Sequence, residues 1–203
     1  KMLYDNGQLA SIYAAGFKLT GNIEYKQVTD ELLGFVTREM TDEAGGFYSA
    51  LDADSEGEEG KFYRWSREEI KAELTDQQYR DFADIYGVTD DPNFEEHFYT
   101  LLLKSSVSQI AKERAVERAV LEGKLQPIRE QLLGLRAKRV RPLLDTKILA
   151  SWNGLMIRGF ADAGRLLENK QYIEIAAKAA DFVVGQMKDE KGHLLHSYNK
   201  GQA

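Results

Sequence analysis

The chain has 203 residues, 43% hydrophobic and 10% aromatic, with a net charge of −6 at neutral pH, enough apolar material for a substantial core. It contains no cysteine, so disulfide scaffolding, thiolate metal sites and thiol catalysis are excluded. No apolar run is long enough to span a bilayer and no signal-like pattern opens the chain, which with the missing thiols gives the expectation of a cytoplasmic protein.

Leu9, Ile12, Tyr13, Gly16 and Phe17 recur at helical spacing from the first residues with no cap before them, so the start reads as cut from something longer. Thr20-Gly21-Asn22 breaks this helix. Tyr25, Val28, Leu32, Phe35, Val36 and Met40 then form the apolar stripe of a second one. So short a link between two helices predicts an antiparallel αα-hairpin.

The stretch Ala44 to Trp65 is the most unusual in the chain. It places Asp52, Asp54, Glu56, Glu58 and Glu59 within eight residues, with Lys61 the only nearby cation, so the carboxylates repel unless water, a cation or protein donors intervene. Phe47–Leu51 and Phe62–Trp65 have the composition of short strands, and Gly45, Gly46, Gly57 and Gly60 permit turns. This predicts an acidic loop held between two strands. Read from Asp52, the acids fall at the first four odd positions of a helix-flanked calcium loop (Asp52, Asp54, Glu56, Glu58), but Tyr63 stands where the closing glutamate belongs. Without calcium, two of the carboxylates suit general acid and base or nucleophile roles on a sugar, a polar ligand site without chemistry is a further reading, and a solvated turn is the structural alternative.

Ser66-Arg67-Glu68-Glu69 has capping-box spacing and predicts a helix to about Leu74. Another begins at Thr75 or Asp76 and stops at Gly87, and residues 88–99 read as loop with a short strand over Phe98 to Leu103. From Ser106 a charged helix is expected to about Gly123, with a new one after Pro127, which suits a first turn better than an interior. Residues 1–100 carry 22 acids and 9 bases while residues 101–203 carry 11 acids and 18 bases, so the halves are electrostatically complementary. The cluster Arg136, Lys138, Arg139 and Arg141 has the charge of a nucleic-acid or phosphate patch but lacks the interleaved aromatics of a single-strand binder, and reads as a solvated helix end. Neither a nucleic-acid nor a membrane partner is expected.

Asp145 is placed to cap a largely buried helix with Ile148, Trp152, Leu155, Met156, Phe160, Ala163 and Leu167. An amphipathic helix, Tyr172 to Met187, and a short strand at His193–Tyr198 follow. The two ends of the chain repeat one another: Leu19, Tyr25, Phe35, Val36, Met40, Asp42, Glu43 and Gly45 recur 147 positions later as Leu166, Tyr172, Phe182, Val183, Met187, Asp189, Glu190 and Gly192. Stacked αα-hairpins of this kind close into toroids around a central cavity.

GGFYSALDADSEGEEGKFYRW, Lys1-Met2-Leu3-Tyr4-Asp5-Asn6 and the segment Leu144 to Met156 carry a resemblance to the spermatogenesis-associated, thioredoxin-domain-containing protein family. It covers nearly the whole chain. The resemblance implies an α/α toroid like that of N-acylglucosamine epimerases and six-hairpin glycosidases, preceded in the full-length protein by a thioredoxin-like domain that would be a partner to this region. The expected fold is therefore mainly α: residues 1–203 as a fragment of a single α/α toroid, built of αα-hairpins with short β-hairpins at one rim. A part-ring leaves apolar flanks, so self-association is expected around Leu9 to Phe17 or Ile173 to Val184.

In such a ring the strands and inner-helix starts gather at one mouth. Asp52, Asp54, Glu56 and Asp145 are the candidate catalytic carboxylates. Tyr4, Asp5, Asn6, Tyr63, Trp65, Lys147, Trp152 and Asn153 are the candidate substrate-binding residues, the aromatics stacking on sugar faces and Asn153 supplying amide hydrogen bonds. Sugar binding or processing, of an epimerase or glycosidase kind and without a cofactor, is the leading expectation. A non-catalytic scaffold that positions a client for the thioredoxin-like domain is the rival.

Overall fold

A computed structural model describes residues 1–199. In chain order its elements are α1 (Leu3–Thr20), α2 (Ile23–Glu39), β1 (Ala50–Leu51), β2 (Asp54–Ser55), β3 (Glu58–Glu59), α3 (Arg67–Glu73), α4 (Asp76–Ala83), α5 (Val107–Glu113), α6 (Arg118–Arg136), β4 (Leu144–Asp145), β5 (Ile148–Leu149), α7 (Ala150–Leu166), α8 (Lys170–Gln186) and β6 (Ser197–Tyr198). The fold is mainly α, with the strands in three separate antiparallel pairs, β1 with β4, β2 with β3 and β5 with β6. The elements form two compact units: Lys1–Asp52 joined by everything from Leu143 onward, and Ala53–Pro142.

The first unit is one αα-hairpin used twice, and the repeat seen in the sequence extends to single hydrogen bonds. Asn22 and Asn169 cap α2 and α8, each accepting at 3.0 Å from the backbone N–H two residues on. After each outer helix the chain makes the same turn: Asp42 N–H donates to Gly46 O and Tyr48 N–H to Met40 O, just as Asp189 N–H donates to His193 O and Leu195 N–H to Met187 O. Gly45 and Gly192 take the positive φ (116° and 82°) that these turns require. Each returning strand then meets the start of its own inner helix, through Leu3 N–H to Ser49 O at 2.9 Å and Ala150 N–H to His196 O at 3.0 Å.

The two hairpins join through α1 and α7, which approach closely because glycine lies at the crossing. A Cβ on Gly7 would stand 2.7 Å from the Leu155 backbone, and one on Gly159 would stand 2.7 Å from Gly7 O. This reverses the expectation for α1. Its buried face is Leu3, Gly7, Ala10 and Ala14, whereas Leu9 and Ile12 of the expected stripe are 42% and 65% exposed. A helix packed this tightly buries small residues, so the large apolar ones mark its outer face. Over the joint sits a core of Leu33, Val36, Met40, Phe47, Met156 and Phe160, all fully buried, with the Phe47 and Phe160 rings stacked at 5.3 Å.

The second unit packs α3 to α6 around Ile70, Phe82, Val88, Tyr99, Val107, Leu125 and Ile128. Ser66 and Thr75 each make a full capping box. Two expectations are corrected here. Residues 118–136 form one helix with Pro127 in its interior, because burial of Leu121, Leu125, Ile128 and Leu132 on one face outweighs the roughly 3 kcal/mol that an interior proline costs. The stretch Phe98 to Leu103 supplies only isolated bridges, Phe94 to Phe98 and Trp65 to Tyr99.

The start of α7 brings another correction. Its N-cap is Leu149, with no side-chain cap, and Asp145 lies in β4 opposite Ala50. Asn153, in the first turn, is fully buried. Its Oδ1 accepts from Phe47 N–H at 2.8 Å, while its Nδ2 donates to Phe47 O at 2.9 Å and to Leu149 O at 3.1 Å. The amide is spent on backbone and has nothing left for a substrate. Asn6, at the equivalent place in α1, donates to Met2 O at 2.7 Å and is partly exposed. Asn153→Ala should therefore cost about 3 kcal/mol, since it strands a buried N–H and C=O together, whereas Asn6→Ala should cost under about 1 kcal/mol. Urea unfolding of both variants checks the contrast, and equal losses would contradict it.

Candidate functional site

The acidic stretch folds differently from a loop between strands: the acids themselves form the strands. Asp54 pairs with Glu59 and Ser55 with Glu58, joined by the two-residue turn Glu56-Gly57, whose φ values of 54° and 77° are those of a type I′ hairpin. Glu56 thus holds a left-handed conformation that costs a residue with a Cβ about 1–2 kcal/mol. The repulsion expected among these acids is met by protein cations. Lys61 Nζ lies 2.7 Å from Glu58 and 3.6 Å from Glu56, and Arg64 bridges Glu58 and Glu95, the latter at 2.5 Å. The hydrogen bonds from Lys61 and Arg64 hold the Glu58 carboxyl below its ordinary pKa and Glu58 in turn raises Lys61.

The following turn is held by Arg139. Tyr63 and Arg64 N–H groups both bond Gly60 O, and Arg139 Nη1 donates to Arg64 O at 2.6 Å and Phe62 O at 3.3 Å. Its guanidinium lies 4.1 Å from the centre of the Trp65 ring. Arg136 stacks on Tyr63 at 5.1 Å and Arg141 on Phe62 at 5.8 Å. The basic cluster is therefore not a solvated helix end. Its aromatic partners come from a segment about 75 positions earlier, which a search for local interleaving overlooks. Burial lowers the pKa of Arg139, an effect that Glu69 opposes from 3.4 Å.

These elements enclose a cavity of about 450 Å³ within the second unit, lined by Ser55, Glu56, Lys61, Phe62, Arg64, Glu69, Phe98, Lys138, Arg139 and Val140. Phe62, Phe98 and Val140 give it an apolar wall, and Arg64 covers one face of Phe98 at 4.0 Å. Ser55 Oγ donates to Val140 O at 2.5 Å and ties the hairpin to the segment after α6. Of the carboxylates proposed from sequence, only Glu56 lines this cavity. Phe98 and Glu69 were not foreseen as site residues, and Lys138 and Arg139 were singled out only as part of the basic cluster. The charge complementarity of the two halves and the shared richness of FYRW in rings and RAKRVR in cations were the signals that pointed to them.

The remaining candidates divide between the units. Asp54, Glu58, Tyr63 and Trp65 belong to the second, where Trp65 is only 3% exposed beneath Arg139 and so is closed to a sugar face. Tyr4, Asp5, Asn6, Asp52, Asp145, Lys147, Trp152 and Asn153 belong to the first. There Tyr4 and Trp152 meet edge to face at 4.8 Å, and Asp52 N–H extends the β1–β4 ladder to Leu143 O. Asp145 accepts from Lys147 N–H at 3.2 Å and pairs with Lys147 Nζ at 3.1 Å. Burial pushes its carboxyl up, but the Lys147 N–H and ammonium and the Ser49 hydroxyl together hold it below the ordinary value. Among the described residues no three acidic or histidine side chains converge as a metal site would require, and no helix is long and apolar enough to cross a membrane.

No protein-family profile matches the chain. It is 32% identical to mouse spermatogenesis-associated protein 20 over 213 residues, 32% identical to the human protein of that name over 226 residues, and 33% identical to that of the rat over 215 residues. These alignments take in 93–99% of this chain but only 27–29% of the relatives. A crystal structure of D-mannose isomerase overlaps all of this chain and 46% of its own at 11% identity, with a TM-score of 0.31, too low for any inference to rest on it.

Two outcomes follow from the geometry. Arg139→Lys should lose about as much stability as Arg139→Ala, on the order of 2 kcal/mol, because an ammonium cannot bridge two carbonyls while lying flat on Trp65; chemical denaturation of both variants measures this, and full stability in the lysine variant would contradict it. The depressed Asp145 stabilises the fold above its unfolded pKa near 4 and loses that contribution as pH falls through its lower folded value. The gap in melting temperature between the native chain and Asp145→Asn should accordingly be widest at pH 7 and shrink steadily as the pH is taken below about 4.

Proposed function

We propose, for a chain that resembles part of the spermatogenesis-associated, thioredoxin-domain-containing proteins over nearly its whole length, that the cavity of the second unit binds a carbohydrate. The observation that carries this reading is the cavity's lining, an apolar wall of Phe62, Phe98 and Val140 facing a ring of carboxylate and guanidinium groups. A sugar presents an apolar C–H face and a fringe of hydroxyls that both donate and accept. The accessible apolar surface of Phe98 and Val140 suits the first, while Glu56 and Glu69 accept and Lys61, Arg64 and Lys138 donate. The volume, about 450 Å³, lies in the range of small-molecule sites.

Strain favours the same place. Glu56 and Glu95 are two of the five non-glycine residues with positive φ among the described residues. The first lines the cavity and the second holds Arg64, which also lines it. Backbone strain of this kind persists where the surroundings over-determine it, often at ligand sites. Calorimetric titration of the chain with a panel of hexoses and disaccharides is expected to find a ligand. Phe98→Ala and Glu69→Gln should each weaken it at least about tenfold, roughly 1.4 kcal/mol, with the melting temperature little changed. A panel without a single binder at millimolar concentration would sink the reading.

A further inference from the structure

We infer that the ligand of this cavity is an anionic sugar, one carrying a phosphate or carboxylate, and that Lys138 and Arg139 receive its charge. The inference rests on the carbohydrate reading above and adds the ligand's charge class to it. Four cations line the cavity, Lys61, Arg64, Lys138 and Arg139, against two carboxylates, Glu56 and Glu69. What matters is where each cation finds its counter-charge.

Lys61 and Arg64 are neutralised mainly from outside. Glu58 serves both, Glu95 serves Arg64, and these two carboxylates are 46% and 52% exposed and absent from the cavity lining. Arg139 is compensated differently. Its Nη1 is given to main-chain carbonyls, which carry no net charge, and its one carboxylate contact among the described residues, Glu69, is at 3.4 Å. Lys138 makes no ion pair among the described residues and is exposed at the cavity rim. Glu58 and Glu95 hold Lys61 and Arg64 in contact pairs, so the charge left for a ligand is that of Lys138 and Arg139, and cations lining a cleft focus their field into it. The cavity thus offers a sugar its apolar wall together with an unfilled positive end. Lowering of the Arg139 pKa by burial is in keeping with a guanidinium that lacks a full counter-charge.

The experiment titrates the chain in parallel with glucose, glucose 6-phosphate, glucuronate and inorganic phosphate at low and at physiological ionic strength. The expected result is that both acidic sugars bind at least tenfold more tightly than glucose, with an advantage that shrinks as salt is added. Lys138→Gln should weaken the acidic sugars severalfold more than it weakens glucose, and Lys138→Arg should restore the difference. Glucose binding as tightly as its acidic derivatives would overturn the charge inference and leave the carbohydrate reading standing. Inorganic phosphate binding as tightly as glucose 6-phosphate would show an anion site with no sugar recognition and overturn both, and so would the absence of any sugar binding.

Discussion

The first unit depends on one buried amide. Asn153 returns both polar groups of Phe47 to hydrogen bonding at a fully buried point, and an unpaired backbone group there would cost about 1–3 kcal/mol. Because the amide projects from the first turn of α7 and Phe47 belongs to the turn after α2, the contact fixes the second hairpin against the first. The glycine crossing of α1 on α7 is the steric counterpart of this electrostatic lock. The Phe47 ring, so positioned, stacks on Phe160 and completes the core.

Arg139 plays a comparable part in the second unit, where a side chain again serves as the hydrogen-bonding partner of a turn that has no ladder of its own. The two solutions differ in what they leave behind. A neutral amide, once satisfied, is inert and can be sealed in a core. A guanidinium satisfied by carbonyls keeps its charge, and that charge has to face something. The cavity beside Arg139 is where the fold leaves it partly accessible, so the residue that holds the turn also lines the cavity.

Much of this architecture was legible in the residues. The 147-position repeat anticipated the paired hairpins, and Ser66-x-x-Glu69 anticipated its helix start, because both are rules of local sequence. What escaped detection was set by tertiary context. The large apolar residues of α1 pointed to the wrong face because the crossing selects for small ones. Pro127 suggested a helix start because propensity knows nothing of the face that α6 buries. The acidic stretch read as a loop because Glu56 adopts a turn conformation that asparagine or glycine ordinarily signals. For the candidate site, Glu56 was in view from the start, while Arg139 and Phe98 were hidden by distance along the chain, and Asn153 looked like a ligand-binding residue because its backbone partner carries no sequence signature.

The second unit leaves the first after Asp52 and returns at Leu143, and these two residues face each other across the last rung of one ladder, with Asp52 N–H bonded to Leu143 O at 2.9 Å. The roughly 90 intervening residues are therefore a closed excursion from a fixed gate. Closure entropy grows only logarithmically with excursion length, so that doubling it costs about 0.6 kcal/mol. Lengthening, shortening or exchanging the inserted segment would then leave the double hairpin almost indifferent. The fold separates a frame from an insert whose length the frame scarcely constrains, and the cavity lies wholly in that insert.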